Sequence, residues 1–125
     1  MNFPENLKYT KDHEWLKIEG DTATIGITEF AVSELGDIVF IEIETEGESL
    51  GTGDTFGSVE AVKTVSDLFM PVCGEVLEVN PVLEDTPEVV NKDPYNDGWI
   101  IKIKMDNTDD LSGLLSAKDY KAIVG

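Results

Sequence analysis

The side chain best placed for covalent chemistry in this chain is Lys63. It is the one cationic side chain between Lys17 and Lys92, in a sequence without arginine. Seventeen Asp and Glu side chains fill the stretch from Ile18 to Asn91. Lys63 lies in Gly57-Ser-Val-Glu-Ala-Val-Lys-Thr-Val-Ser-Asp67, an apolar alternation that reads as strand, turn, strand. An ε-amine has a reference pKa of about 10.4, and nearby carboxylates favour its charged form. A Schiff-base lysine needs desolvation or an adjacent cation to shed its proton, and the sequence offers no such cation. Chemistry at Lys63 therefore requires an outside base, supplied by an enzyme that deprotonates and acylates the amine. On this reading Lys63 is the attachment point of a covalently bound prosthetic group. The alternative is a solvated surface lysine, the commonest state of that residue.

The other chemistry-bearing residues are few. His13 and Cys73 are the single histidine and the single cysteine. No intrachain disulfide is possible, and neither a His-Cys dyad nor a metal centre has enough ligands. His13 reads as a packed or hydrogen-bonded imidazole, and Cys73 as a small apolar filler. No nucleophile-base constellation or phosphate-binding glycine loop is present, so the chain is expected not to be an enzyme.

The elements that must hold Lys63 are mostly strands. Glu14–Glu19 and Thr22–Ile27 flank Gly20-Asp21, a hairpin signal. Helical spacing follows from Thr28, an N-cap candidate, to Gly36, a stop. Ile38–Glu44 is the strongest strand by β-branched and aromatic content. Residues 46–54 read as a glycine-broken turn region, and two strands, Phe56–Val62 and Val65–Met70, then flank the Lys63 turn. Glu75–Val79 is a weaker strand, and Val82–Asn91 a loop or single helical turn. Trp99–Lys104 is a clear strand, which with Glu14–Glu19 places Trp15 and Trp99 in strands as core or cleft wall. Helical spacing returns in the tail, about 108–124. The sum is one mainly β domain over residues 1–125, with its attachment hairpin at about 56–70. Small helices follow the second strand and close the chain.

Composition narrows the partners. Hydrophobic residues at 41% and charged residues at 28% are globular values. The net charge of −17 repels nucleic acid and anionic membranes and favours partners with basic faces. High charge also serves plain solubility. No apolar run approaches the roughly 18 residues of a membrane helix. The start, Met1-Asn-Phe-Pro-Glu-Asn-Leu-Lys8, lacks secretory and transit signatures. A cytoplasmic, bacterial-type monomer is expected.

Val59-Glu-Ala-Val-Lys63, Ser66-Asp67 and Pro71-Val-Cys-Gly-Glu-Val-Leu-Glu-Val-Asn80 together resemble the lipoyl-attachment segment of the glycine cleavage system H protein family. His13-Glu-Trp15, Ala23–Thr28, Leu35–Phe40, Pro94–Trp99 and Ile101–Lys104 are similar to further segments of that family, in the same order. The resemblance implies a barrel-sandwich hybrid of two small antiparallel sheets with short helices. It implies lipoate joined to Lys63 and a non-catalytic carrier role. The arm would accept the aminomethyl group of glycine from the P-protein (glycine decarboxylase) and deliver it to the T-protein (aminomethyltransferase). Dihydrolipoamide dehydrogenase, the L-protein, would reoxidise it, and a lipoyl-attaching enzyme would install it. By matched position, Glu14 and Asp67 belong to a cleft that docks the loaded arm, and Glu60 to recognition by the attaching enzyme. The ordinary readings of these three are a strand-edge carboxylate, a turn-stabilising side chain and a solvated strand residue.

Four positions depart from the usual family pattern. Ala61 stands where serine is usual, Thr64 where alanine is, Glu34 where many members have histidine, and Asp12 where serine is common. The Glu34 substitution puts arm docking at that spot in question. Other readings keep the lysine in view: a biotin carrier, a lipoyl domain of a 2-oxoacid dehydrogenase complex, an H-like protein relaying lipoyl groups, or an unmodified acidic interaction module. Biotin carriers flank their lysine with methionine, unlike Val62 and Thr64.

Overall fold

The computed structural model of the chain describes residues 3–106 and 113–124. Nine strands form two antiparallel sheets, as the family resemblance implies. They are β1 (Lys8–Tyr9), β2 (Glu14–Glu19), β3 (Thr22–Ile27), β4 (Ile38–Glu42), β5 (Ser49–Leu50), β6 (Thr55–Ala61), β7 (Val65–Phe69), β8 (Gly74–Val79) and β9 (Ile101–Met105). One sheet has the order β1-β2-β3-β9-β8-β5 and the other β4-β6-β7. Their apolar faces meet in one core, where Ile25, Val59, Val76, Ile101 and Ile103 are fully buried.

The helices are α1 (Glu29–Leu35), α2 (Val82–Asp85), α3 (Val89–Lys92) and α4 (Ala117–Val124). Thr28 and Gly36 bound α1 as expected. Thr28 Oγ1 accepts the Ala31 N–H at 3.2 Å, and the Gly36 N–H donates to Val32 O at 2.9 Å. Gly36 has φ 79°, a left-handed value suited to glycine just past a helix end. α1 follows the strand read as second, which becomes the third because β1 precedes it.

The structure corrects several boundaries. Residues 82–92 hold two single-turn helices on either side of Pro87, which bury Leu83 and Val90 in the core. The supposed turn region 46–54 contains β5, paired with β8 at Ser49↔Glu75 and Leu50↔Gly74. Trp99 lies outside β9, because its carbonyl accepts the Asn80 side-chain amide at 2.8 Å instead of joining the ladder. Its ring packs beside the aromatic cluster described next, with the Lys102 Nζ 4.8 Å from the ring centroid, and it is not part of the cleft described below.

The tail helix also starts later than its spacing suggests. Leu115 exchanges backbone hydrogen bonds with Tyr9, at 2.7 and 2.8 Å, and a residue held in such a bridge cannot join a helix. Residues 108–112 of that expected helix lie outside the described residues. α4 then seals a second cluster, with Tyr120 stacked on Tyr9 at 4.9 Å between centroids and Trp15 alongside. Gly26 lies flat over the Trp15 indole, where an added Cβ would come within 2.6 Å of the ring. None of the helices among the described residues is long and apolar enough to cross a membrane.

Candidate functional site

Lys63 occupies the turn between β6 and β7. The two strands pair from Thr55↔Phe69 to Glu60↔Val65, and the turn closes where the Ala61 N–H donates to Thr64 O at 2.8 Å. Ala61 faces the core while Val62 is 75% exposed. The turn is also braced from outside. The Val62 N–H donates to Asp37 O at 3.0 Å, which ties it to the segment leaving α1. Asn91 of α3 grips that segment on both sides: its side-chain amide donates to Gly36 O at 2.8 Å, and its Oδ1 accepts the Ile38 N–H at 2.9 Å.

Lys63 itself is exposed, and its stem lies against Gly36. A Cβ built on Gly36 would stand 3.3 Å from Lys63 Cε and 3.8 Å from its Nζ. The amine thus has a fixed base and a free end, the arrangement an acylating enzyme needs.

A cleft of about 330 Å³ opens beside this corner. Leu35 and Glu34 of α1, next in the chain to the glycine under Lys63, form one wall. β7 forms another through Ser66, Asp67, Leu68 and Phe69, and Lys11 to Glu14 form a third. The cleft therefore gathers four acidic side chains, Asp12, Glu14, Glu34 and Asp67, with Lys11 on the third wall.

Glu14 is only 2% exposed, so the strand-edge reading does not describe it. Its Oε2 accepts the Phe69 N–H at 3.1 Å, which bolts β2 of one sheet to the end of β7 in the other. The Thr10 hydroxyl approaches Oε1 at 3.5 Å. Burial, reinforced by the Asp12 charge, pushes the Glu14 pKa up to about 8, against the opposing pull of those two hydrogen bonds.

Asp67 differs. It is exposed and pairs with Ser58 across the outer face of the small sheet, so it reaches the cleft from the rim of edge strand β7. Glu60 stands on the same outer face, level with Phe40 and Val65, and away from the cleft. The structure brings Glu14 and Asp67 to one cleft and leaves Glu60 outside it, on the outer face of the small sheet at the last strand pair before the Lys63 turn.

His13 fits its expected role and adds to it. Its Nδ1 lies 2.9 Å from the Tyr120 hydroxyl, which lies 2.7 Å from Thr28 Oγ1. It holds a left-handed φ of 67°, uncommon for a residue with a side chain, while its ring borders the cleft and packs 4.8 Å from Phe30. Such strain persists only where surrounding contacts fix it. Sequence reasoning missed the positioning residues Asn91 and Gly36 in this capacity. Glycine at a helix stop was a signal for Gly36, whereas nothing near Asn91 marks it. Among the described residues no cluster of three or more His, Cys, Asp or Glu side chains is arranged to hold a metal ion.

The chain as a whole is similar to known proteins. The family model described as Glycine cleavage H-protein matches residues 7–125. The chain is 60% identical over 124 residues to the Glycine cleavage system H protein of Bacteroides fragilis, covering 99% of this chain and 98% of that protein. It is 58% identical over 127 residues to the protein of the same name from Chlorobaculum tepidum, covering 100% and 99%. Among solved structures, a glycine cleavage system H protein from Mycobacterium marinum superposes with a TM-score of 0.87 at 38% identity, over 96% of this chain and 97% of that one.

Proposed function

The chain belongs to the glycine cleavage H-protein family, and from that premise we propose that Lys63 carries its lipoyl group and that the cleft beside it shelters the loaded arm. The protein's role is that of the lipoyl carrier in glycine cleavage. When attached, the lipoyl group supplies a dithiolane that takes up and hands on the aminomethyl unit of glycine. The chain's own residues present, shield and steer. It performs no bond-making itself, and it serves glycine decarboxylase, aminomethyltransferase and dihydrolipoamide dehydrogenase in turn. A lipoyl-attaching enzyme loads it.

The observation that carries this reading is the exposed amine on a doubly braced turn, beside a cleft lined by four acidic side chains. A cationic cargo entering that cleft would meet the charges of Asp67 at the rim and Glu34 on α1, while Glu14 on the floor, its pKa pushed up to about 8 by burial, offers a neutral carboxyl acceptor. Charge-assisted hydrogen bonds strengthen as water is excluded. Glu34 takes the place of a neutral or cationic imidazole with a negative charge, which favours the same cargo.

Protein isolated from its native host should carry a lipoyl mass increment on the peptide containing Lys63. Lys63→Arg should abolish both the increment and glycine cleavage while leaving the thermal midpoint unchanged, because the side chain is exposed. A biotinyl increment, or a bare Lys63 under lipoate-replete conditions, would overturn the assignment.

A further inference from the structure

The outer face of the small sheet carries a surface that the cleft does not explain. Register places Phe40, Glu60 and Val65 in one row across β4, β6 and β7. Phe40 is 46% exposed and Val65 62%. Val39, at the irregularity in β4, is 50% exposed, and Val62 on the turn continues the patch to the residue before Lys63. Four large apolar side chains thus lie open around the base of one amine, although β-rich cores ordinarily bury such residues. The next row across the strands is Glu42, Ser58 and Asp67. An apolar centre with a charged rim is the anatomy of a protein interface.

The charges choose the occupant. Glu60 within the row and Glu42 and Asp67 beyond it are all negative, and the chain as a whole carries −17. A second copy would bring the same sign to the same face, so a partner with a cationic rim is required. Geometry narrows it further. Val62 and Val65 flank the turn itself, one and two residues from Lys63, so an enzyme covering them lies next to the residue to be modified. Enzymes that work on the far end of a long arm have no need to reach the turn. The enzyme that forms the amide does.

We propose that the surface docking the lipoyl-attaching enzyme, to which the family resemblance assigns Glu60, extends across the exposed apolar residues Phe40 and Val65 on either side of it, and that the enzyme meets it with an apolar contact and a basic rim; this rests on Lys63 being the lipoyl site. In the reaction served, Lys63 Nζ forms an amide with the lipoyl carbonyl. The bond between that carbonyl and its activating leaving group breaks; of the two protons the ammonium loses, the first passes to the enzyme's base before attack, and the second leaves to that base or the departing group as the tetrahedral intermediate collapses. No electron transfer is involved. The face fixes the turn against the enzyme while the side chain enters the active site.

The test compares Phe40→Asp and Val65→Asp with the wild type as purified, unmodified protein, using the purified lipoyl-attaching enzyme and its activated donor. Mass spectrometry follows the acylation of Lys63. Leu77→Asp is the control, an apolar residue of similar exposure (45%) on the other sheet. Each patch variant should lower kcat/KM by about tenfold or more, as for truncation at the centre of an interface, while Leu77→Asp stays within about twofold. Reaction of Lys63 with acetic anhydride should be equal in all four proteins. Patch variants acylated at the wild-type rate would overturn the proposal, as would a parallel loss of anhydride reactivity, which would show damage to the turn itself. Self-association of the wild type that Phe40→Asp abolishes would assign the face to a second copy instead. Failure of the wild-type chain to be acylated at Lys63 would overturn the site assignment, and the docking face with it.

Discussion

Glu14 shows how one carboxyl group can tie fold and site together. Its proton affinity is raised in the folded chain, from an ordinary 4.5 to about 8, first by burial and then by Asp12. Between those two values the unfolded chain has released a proton that the folded chain still holds. The stability linked to this group is therefore fully present below about pH 4.5 and is lost as pH climbs through about 8. Glu14→Gln removes that titration but keeps an acceptor for the Phe69 N–H. Urea midpoints should show the variant gaining on the wild type as pH rises from about 4 to about 8.5; a gap that does not move with pH would mean that folding leaves the proton affinity of Glu14 unchanged. Burial of Glu14 was illegible in the sequence because the start of β2 does not alternate. Glu14, Trp15 and Leu16 are all buried, since β2 has the main core on one face and the α4 cluster on the other. The exposed place of Lys63 on a turn between two strands was legible from the apolar alternation around it, whereas its role as an attachment point was expected only through the family resemblance.

Among the elements, α3 does more than its four residues suggest. Through Asn91 it holds Gly36 and Ile38, and through Asp37 O it holds the turn that bears Lys63. Asn91→Ala would strip partners from a part-buried carbonyl and a part-buried N–H. It should cost about 1–3 kcal/mol in denaturant unfolding and speed hydrogen exchange at Ile38 and Val62. Unchanged exchange at Val62 would show that the turn stands without this brace. Long strands and α1 were legible because periodicity and caps are local. β1 and β5 were not, because two residues cannot display an alternation. Nor was the Asn91 brace, which joins positions more than fifty residues apart. The displaced starts of β9 and α4 share one cause: Trp99 and Leu115 give backbone groups to distant partners that no local window contains.

Across the whole molecule, negative charge is the dominant long-range property. It is dense enough locally that the exposed Glu42 carboxyl is raised by its neighbour Glu44, with which it shares a hydrogen bond. A field of this sign draws basic surfaces and is screened over roughly 8 Å at physiological salt. Stopped-flow association of the lipoylated protein with glycine decarboxylase should slow steeply as salt rises from about 50 to about 200 mM, with dissociation little changed. A flat salt profile would leave the charge with solubility as its only role. The bedding of the Lys63 stem on Gly36 has a consequence at this scale. The hinge of any tail joined at Nζ is moved outward, from the backbone to the new amide, so the tail explores a smaller sphere. That sphere begins on the α1 side, where the wall of the pocket stands, and homing after each visit becomes a short hop rather than a wide search.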